Sequence, residues 1–439
     1  MLFAPWSQRA LAFAVLIAGG VGPPLHAQST GAVKADRMAS GICRPNSAQA
    51  QARHYLVLVS LDGLRWDYAQ RDGAAHLLAL GKEGVWAPEG VLPSYPALGA
   101  PNRFTIVTGL YPGHHGLVAD NFYDPERKER FSTDEPKQAD DGSWYGGVPL
   151  WSVAESQGMC AAVIGWPGSE ARIAGFRPSY SIAEGVDYGA RLKQISHWLH
   201  LPAPERPHLI AIDISEPAAE VLRFGPDTPQ VKAAVLRADA FVGRLETDLN
   251  ATGLPVDLVV VSDRGTVKTD GGWIALDQFT NLAGFETVGL LLYSPAEPAR
   301  ERVYRQLNHV SSTFVVYRRK DLPPEFHASL NPRMGDPVIM ATGPYAIRAH
   351  GPVTAKASAP PAGVDGIDPQ VQPEMKAIFF AAGPDIVPGK TVAPFENVNL
   401  YPWMAHILGL KAPKSDGSLN ILAGTLRDDG AEPGDEPNQ

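Results

Sequence analysis

Two apolar runs that each end in an aspartate constrain the fold of this chain more than any other feature. The first reads V-L-V-S-L-D from Val57 to Asp62, and the second reads L-V-V-V-S-D from Leu258 to Asp263. Runs of this length and composition are typical of strands buried on both faces of a parallel sheet. Because open α/β sheets build their sites at the carboxyl ends of such strands, we expect both aspartates at a functional site.

Apolar strands alternate with helical segments along most of the chain, which predicts an α/β fold with a largely parallel sheet covered by helices on both faces. A small inserted subdomain is expected at about residues 267–363. The predicted strands are Leu56–Ser60, Ala161–Ile164, Leu209–Asp213, Leu258–Ser262 and Ala377–Ala381, with Val288–Tyr293, Phe314–Arg318 and Pro337–Met340 in the insertion. The predicted helices are Ala75–Leu80, Pro101–Thr108, Leu150–Glu155, Val231–Leu249 and Leu400–Leu408.

Several motifs follow one another in a fixed order between Tyr55 and Thr425. They read S-L-D-G-L-R from Ser60, P-S-Y-P-A-L-G-A-P-N-R-F-T-I-V-T-G from Pro93, S-E-P from Ser215, V-S-D-R-G from Val261 and D-G-I-D-P from Asp365. With these motifs the chain resembles the nucleotide pyrophosphatase/phosphodiesterase (type I phosphodiesterase) family of the alkaline phosphatase superfamily. The resemblance implies an alkaline-phosphatase-like sandwich.

The resemblance also implies a site with two zinc ions. In the family, one ion is bound by Asp, Asp, His and a nucleophilic Thr, and the other by Asp, His and His; an Asn helps to hold the phosphate. Zinc activates the Thr hydroxyl and holds the phosphate oxygens. Carried onto this chain, Asp62 and Asp263 are retained, Gly99 stands at the nucleophile and Asp120 at the phosphate-holding Asn. The remaining metal-ligand positions hold Ala218, Leu222, Arg264 and Asp365.

The charges left at this site must be balanced in some way. The expected anions are Asp62, Asp120, Asp263 and Asp365, and the expected cations are Arg103 and Arg264. Two carboxylates about 4 Å apart repel each other by roughly 4 kcal/mol at an effective dielectric constant of 20, so a cation or a proton must lie close to them. One solution is internal: Arg103 and Arg264 take the place of the metals and pair with the carboxylates.

Two other solutions require a ligand. A single Ca²⁺, Mg²⁺ or Mn²⁺ ion could bind the oxygens of Asp62, Asp263 and Asp365, which would then be vestigial zinc ligands in a new role. Alternatively, the arginines could bind a small anionic ligand such as a nucleotide without cleaving it, in a pocket that includes Asn102, Arg103 and Asp120. A histidine from a nearby loop, His350, could also replace a lost ligand, although a surface loop position is the simpler interpretation.

The N-terminal residues indicate that the protein is exported. Residues 1–27 combine one arginine, a short apolar stretch and small residues near Ala27, which is typical of a secretory signal peptide. A flexible segment is expected at 28–53, one domain at 54–425 and a disordered acidic tail at 426–439. The protein should therefore be periplasmic or secreted, and Cys43 and Cys160 could pair in an oxidising compartment.

Composition narrows the range of partners. The formal net charge is −9, and removal of Arg9 with the signal peptide makes it more negative. The sequence has neither a basic stripe nor a second long apolar segment, which argues against nucleic-acid binding and against a membrane span. From the substitutions we expect a pseudoenzyme without a bound cofactor, acting as a binding or interaction module. The alternative is a phosphodiesterase or pyrophosphatase that uses a remodelled, non-zinc metal site.

Overall fold

A computed structural model describes residues 45–183, 185–269, 272–351 and 360–427. The predicted signal peptide, Cys43 and the tail beyond residue 427 lie outside these ranges. Two residues of the segment predicted to be flexible up to residue 53, Asn46 and Ala50, are buried. Asn46 is buried and its Nδ2 donates to the carbonyl oxygens of Ala203 and Arg206 at 2.9 and 2.7 Å. The folded domain therefore begins before residue 54, because Asn46 supplies buried hydrogen bonds to it. Cys160 is buried and disulfide-bonded.

The described residues contain strands and helices in the alternating order that the sequence predicts. The strands are β1 (Tyr55–Leu61), β2 (Val85–Trp86), β3 (Asn121–Asp124), β4 (Glu129–Ser132), β5 (Ala161–Ile164), β6 (Tyr180–Ile182), β7 (Leu209–Ile214), β8 (Val256–Val261), β9 (Val267–Lys268), β10 (Trp273–Ala275), β11 (Glu286–Val288), β12 (Leu291–Tyr293), β13 (Phe314–Tyr317), β14 (Val338–Ala341), β15 (Ala346–Arg348), β16 (Gly363–Val364), β17 (Phe379–Ala382) and β18 (Lys390–Thr391). The helices are α1 (Ala48–Gln51), α2 (Tyr68–Asp72), α3 (Ala75–Glu83), α4 (Gly99–Thr108), α5 (Pro112–His115), α6 (Pro136–Ala139), α7 (Leu150–Ser156), α8 (Tyr188–Leu199), α9 (Ala218–Phe224), α10 (Pro229–Ala251), α11 (Glu297–Leu307) and α12 (Leu400–Ile407).

The central sheet has eight strands in the order β18-β2-β17-β8-β1-β7-β5-β6. Strand β1 pairs in parallel with β7 on one side and with β8 on the other, and β17 runs antiparallel to β8 and β2. All seven residues of β1 are buried, because helices cover both faces of the sheet. The predicted α/β fold with a largely parallel sheet is confirmed.

Alternate residues of β1 contribute to two separate hydrophobic cores. Leu56 and Leu58 pack on the face covered by α4, α7 and α12. Val57 and Val59 pack on the other face, beneath α3, α8 and α10. This two-sided burial fixes the register of the strand, since a shift by one residue would exchange the two faces. No helix in the described ranges is both long and apolar enough to cross a membrane.

The insertion forms its own small core around α11, which includes Leu292, Val303 and Phe314. Strands β13 and β14 pair antiparallel close to their predicted positions. The prediction of one strand over Val288–Tyr293 is wrong, because this segment is the turn and second half of the β11–β12 hairpin. Gly289 adopts φ +58°, a left-handed conformation that glycine favours and that reverses the chain.

Candidate functional site

Asp62 and Asp263 meet at the carboxyl edge of the sheet. They follow the neighbouring parallel strands β1 and β8 directly or by one residue, so the sheet brings the two carboxylates together. Asp263 is completely buried. Its Oδ1 accepts hydrogen bonds from the backbone N–H groups of Gly63 at 3.0 Å and Arg264 at 2.8 Å. These bonds orient the Asp263 carboxyl so that Oδ2 faces the site.

Arg264 pairs with three carboxylates at once. Its Nη1 lies 2.6 Å from Oδ1 of Asp62 and 2.7 Å from Oδ2 of Asp263. Its Nε lies 2.6 Å from Oδ2 of Asp365, which follows β16. The arginine side chain is only 6% exposed, so these ion pairs are screened little by solvent. The internal neutralisation expected from the sequence is therefore the arrangement that the structure shows.

Arg103, on α4, supplies the second guanidinium group. Its Nη1 lies 2.8 Å from Oδ2 of Asp62 and 3.4 Å from Oδ2 of Asp263. Its Nε lies 3.5 Å from Oδ2 of Asp213, a buried residue of β7. We refer to the group formed by Arg103, Arg264, Asp62, Asp213, Asp263 and Asp365 as the Arg–Asp cluster.

Asp213 was missed as a site residue by sequence reasoning. It was assigned to a predicted strand, Leu209–Asp213, and the structure places it near the carboxyl end of β7, next to β1. A signal was present, since a carboxylate inside an apolar run beside two similar runs that end in Asp is unusual for a buried strand. Burial of Asp213 is offset by its proximity to Arg103.

The pKa values of the clustered carboxyl groups are shifted in opposite directions. Burial opposes ionisation of Asp62, but the charges of Arg103 and Arg264 outweigh it and lower the pKa of Asp62 to about 2. Burial, reinforced by the charge of Asp62, raises the pKa of Asp263 to about 8 against the effect of the arginines. The opposite shifts follow from the excess of four carboxylates over two guanidinium groups in the cluster.

Gly99, the residue at the expected nucleophile position, is the first residue of α4. A Cβ atom built on Gly99 would lie 3.0 Å from Nη1 of Arg264 and 3.4 Å from Oδ2 of Asp263. A side chain at position 99 would therefore point into the Arg–Asp cluster. Glycine leaves that space to the guanidinium group and provides no hydroxyl.

Asp120 lies at the N-terminal end of the same helix. Its Oδ1 accepts a hydrogen bond from the backbone N–H of Ala100 at 3.3 Å. The first N–H groups of a helix favour an anion, and here a carboxylate of the chain itself takes one of them. An incoming phosphate group would meet this negative charge at the helix terminus.

Ala218 and Leu222, at expected positions of the second metal, offer no ligand atoms. Ala218 is the buried first residue of α9, and its N–H donates to the carbonyl oxygen of Asp62 at 2.9 Å. A Cβ built on Gly63 would lie 2.8 Å from Cβ of Ala218, so the backbone packs closely here. Leu222 is 44% exposed and lines a cavity beside the cluster.

Two other residues proposed from the sequence do not reach the site. The prediction that Asn102 lines the pocket is wrong: it is completely buried, and its Nδ2 donates to the carbonyl oxygens of Pro96 and Leu98 at 2.9 and 3.0 Å. Its amide fixes the loop before α4 because it satisfies carbonyl groups that the loop leaves unpaired. His350 lies 3.5 Å from Asp277 in the insertion, and none of the ion pairs of the Arg–Asp cluster involves it.

A cavity of about 440 Å³ opens between the cluster and the insertion. Its lining is mostly apolar and includes Tyr95, Leu98, Leu222, Trp273, Met334 and Tyr345. Asp120 and Asp365 also line it, and the described lining residues include no Lys, Arg or His. Both arginines of the cluster are thus directed at carboxylates and not at the cavity, so the chemistry of the lining favours a neutral or cationic ligand.

The residues present do not fit a two-zinc site. Zinc sites have three or four nitrogen, oxygen or sulfur ligands, whereas two of the expected ligands here are alkyl side chains. A nitrogen of Arg264 already bridges Asp62 and Asp263. A cation at these carboxylates would have to displace a guanidinium group that makes three short ion pairs, so the ligand set supports no zinc-dependent step.

Comparisons with known proteins agree with this fold. The family model for type I phosphodiesterase/nucleotide pyrophosphatase matches residues 56–358. An uncharacterized pyrophosphatase/phosphodiesterase of Schizosaccharomyces pombe is 32% identical over 83% of this chain and 78% of its own length. Ectonucleotide pyrophosphatase/phosphodiesterase family member 7 of Rattus norvegicus is 30% identical over 86% of this chain and 89% of its own length.

Solved structures of similar proteins share this fold. Murine ectonucleotide pyrophosphatase/phosphodiesterase 5 superimposes with a TM-score of 0.79 and 26% identity, covering 85% of this chain and 100% of its own. An inactive variant of that protein, with alanine in place of one threonine, was solved in complex with AMP and superimposes equally well, with a TM-score of 0.79 and 25% identity. This chain belongs to the type I phosphodiesterase/nucleotide pyrophosphatase family.

Proposed function

We propose that this chain is a member of the family that has lost two-zinc phosphoester hydrolysis and acts as a binding protein. One observation carries the proposal: Arg264 pairs with Asp62, Asp263 and Asp365 at 2.6–2.7 Å. By the family resemblance all three stand at metal-ligand positions, Asp62 and Asp263 as retained aspartates and Asp365 in place of a histidine. A guanidinium group satisfies them with short, charge-assisted bonds and has no Lewis-acid chemistry to offer.

The missing nucleophile supports the same conclusion. Loss of a nucleophile in a hydrolase typically costs on the order of 10⁶ in turnover. Gly99 has no hydroxyl, and its position faces the cluster directly. The murine relative in which a threonine is replaced by alanine is described as inactive and yet was obtained with AMP. Binding without hydrolysis is thus compatible with this fold.

The competing function is a metal-dependent hydrolase. The names of the relatives favour it, since they are called pyrophosphatases or phosphodiesterases. It would require a divalent ion to displace Arg264 from Asp62, Asp263 and Asp365. The oxygens of these three residues suit Mg²⁺, Mn²⁺ or Ca²⁺, but the arginine would remain beside the ion and repel it.

A hydrolysis assay separates the two functions. The purified chain is incubated with bis(p-nitrophenyl) phosphate in the presence of Zn²⁺, Mn²⁺, Mg²⁺ or Ca²⁺ in turn, with a venom phosphodiesterase as positive control. We expect release of nitrophenol at the rate of the blank. Metal-dependent turnover that disappears in Asp62→Asn would refute the proposal, because that variant removes a carboxylate that pairs with both arginines.

The cavity beside the cluster indicates the chemistry of a ligand. Its described lining is apolar apart from a few polar groups and carries the carboxylates of Asp120 and Asp365 without a basic residue. We therefore propose a ligand with an apolar body and a neutral or cationic head group, in place of the small anion considered from the sequence. The acidic overall charge also disfavours nucleic acid.

We further propose that the protein is exported. Residues 1–27 have the pattern of a secretory signal peptide, and the rat and murine relatives are named ectonucleotide enzymes. Expression of the full chain in a Gram-negative host followed by fractionation and N-terminal sequencing tests this. A mature form that begins near Gln28 in the periplasm is expected, and an uncleaved cytoplasmic product would contradict it.

A further inference from the structure

Three potential metal ligands meet at the edge of the sheet opposite to the Arg–Asp cluster. His54 directly precedes β1, Asp257 is the second residue of β8, and Asp385 follows β17. Strand β8 lies between the other two, parallel to β1 and antiparallel to β17. The start of β1, the start of β8 and the end of β17 therefore share one edge, while Asp62 and Asp263 lie at the other.

The side chains are close enough to bind one ion. One nitrogen or oxygen atom from each of the three residues lies within 4.8 Å of the others. Nδ1 of His54 lies 2.8 Å from Oδ1 of Asp385. With metal–ligand distances of about 2.0–2.2 Å, two ligands of one ion lie at most about 4.4 Å apart, so shifts of a few tenths of an ångström in these side chains bring all three groups within reach of a single ion.

Asp257 supplies an independent indication that something is bound here. The residue is completely buried, and its Oδ1 accepts a hydrogen bond from the backbone N–H of Asp385 at 3.0 Å. Its Oδ2 is buried and has no hydrogen-bond partner among the residues that the structure describes. A buried carboxylate oxygen without a partner is costly, and a cation coordinated by the neighbouring ligands would remove that cost.

We propose that His54, Asp257 and Asp385 bind a divalent transition-metal ion, of the class of Zn²⁺ or Mn²⁺. One imidazole and two carboxylates are a ligand set for these ions, whereas Ca²⁺ takes only oxygen ligands. His54 and Asp385 are partly exposed, which gives the ion a path from solvent and leaves room for water ligands. Asp257 at the base of the site holds the ion from the interior.

An ion at this site replaces the contact between His54 and Asp385. In that contact the ring N–H at Nδ1 of His54 donates to Oδ1 of Asp385 at 2.8 Å, and both groups would become ligands of the ion. The positive charge of Arg427 acts on Asp257 and weakens the site electrostatically, although Nε of Arg427 donates to the carbonyl oxygen of Ile386.

Isothermal titration of the chelator-stripped full chain with Zn²⁺ and Mn²⁺ tests the proposal. We expect one ion per chain. His54→Ala should weaken binding by more than about a hundredfold, since changes to outer-shell partners alone cost 10–100-fold. His350→Ala is the matched control, because His350 also faces an aspartate, Asp277, and the two belong to no group of three potential ligands in the described part of the chain.

Two further variants make each outcome decisive. Asp365→Asn alters the Arg–Asp cluster only, and should leave the affinity for the ion unchanged. Asp385→Asn keeps the size and the backbone hydrogen bond of the residue, and should weaken binding as His54→Ala does even if the latter folds poorly. An absence of binding, or an ion whose affinity is the same in His54→Ala and Asp385→Asn as in the unmodified chain, would overturn the proposal.

Discussion

A Cβ atom built on Gly99 would lie 3.0 Å from Nη1 of Arg264. The guanidinium group thus takes up the space into which a side chain at position 99 would extend. The missing side chain at residue 99 and the arginine at residue 264 are therefore sterically coupled. Glycine allows Arg264 to bridge Asp62 and Asp263, and a larger residue at position 99 would press on the guanidinium group of Arg264.

Replacement of Arg264 is expected to destabilise the fold strongly. Arg264→Ala leaves the four carboxylates of the cluster with a single remaining guanidinium group, Arg103, and loss of one partner from a buried ion pair typically costs about 3–5 kcal/mol. Thermal unfolding should show a melting temperature lower by several degrees than that of the unmodified chain. The melting temperature of Arg264→Lys should lie between those of the unmodified chain and Arg264→Ala, because an ammonium group retains the charge but lacks the planar fork.

A surface arginine provides the control for this measurement. Arg244 pairs with Asp248 at 2.9 Å and is 67% exposed, so Arg244→Ala should cost less than about 1 kcal/mol. If Arg264→Ala unfolds at the temperature of the unmodified chain, the Arg–Asp cluster does not stabilise the protein and our account of the site is wrong.

Gly99→Ala should change the stability of the unmodified chain and that of the Arg264→Ala variant in opposite directions. Alanine in place of glycine at a helical position usually stabilises by about 0.5–1 kcal/mol. In the unmodified chain the new methyl group presses on Nη1 of Arg264, which three ion pairs hold in place, so we expect a net loss of stability. In the Arg264→Ala background the contact is gone, and the same substitution should stabilise the protein.

Gly189→Ala is a matched control for this cycle. Gly189 also stands in the first turn of a helix, α8, and a Cβ there meets only Oδ1 of Asp187 at 3.3 Å. Gly189→Ala should raise the free energy of unfolding by the same amount in the unmodified chain and in the Arg264→Ala variant. Equal effects of Gly99→Ala in the two backgrounds, measured by denaturant unfolding, would show that residues 99 and 264 are not coupled.

Restoring a hydroxyl at residue 99 should not restore hydrolysis. Gly99→Thr supplies a nucleophile, but Ala218 and Leu222 still provide no metal ligands and Arg264 still holds the carboxylates. Turnover of bis(p-nitrophenyl) phosphate with added zinc is expected to remain at the blank rate. Zinc-dependent turnover by this single variant would contradict the loss of the metal site as described.

The sequence predicted the fold well because its signals are local. The apolar runs that became β1 and β8 are too long and too uniform to be anything but buried strands, and each was followed by its aspartate. The pairing of Arg103 and Arg264 with carboxylates was one of three solutions that the sequence left open, since like charges at one sheet edge need a counter-charge. These features depend on composition and order along the chain.

The features that were missed depend on long-range placement. Asn102 lies in the same motif as Arg103, and only the structure shows that one side chain faces the core while the other faces the cluster. Asp213 becomes a site residue because β7 pairs beside β1. Val288–Tyr293 looked like one strand because its apolar residues are continuous, although the positive φ of Gly289 turns the chain.

The stability of the protein should depend on Asp62 at low pH. Its pKa of about 2 in the folded state lies below the value of about 3.9 for an unfolded chain, so Asp62 stabilises the fold fully above pH 4. This contribution, about 2–3 kcal/mol, is lost as the pH falls toward 2. Asp62→Asn should be less stable at neutral pH and should lose less further stability between pH 4 and pH 2, as measured by urea unfolding at each pH. A slope identical to that of the unmodified chain would contradict the assignment.

Asp120 should determine the charge of the ligand that the cavity accepts. Its carboxylate lies at the N-terminus of α4 and lines the cavity together with Asp365, so a hydrophobic quaternary amine such as benzyltrimethylammonium should raise the melting temperature while AMP should not. Asp120→Asn removes one negative charge. It should weaken amine binding about tenfold or more, because an ion pair at 4–5 Å is worth roughly 1–4 kcal/mol, and should make AMP binding measurable by titration calorimetry.

Asn121→Ala, which changes an uncharged residue of the same lining, is the control and should leave both affinities unchanged. Stabilisation of the unmodified chain by AMP but not by the amine would show that the cavity selects anions despite its carboxylates.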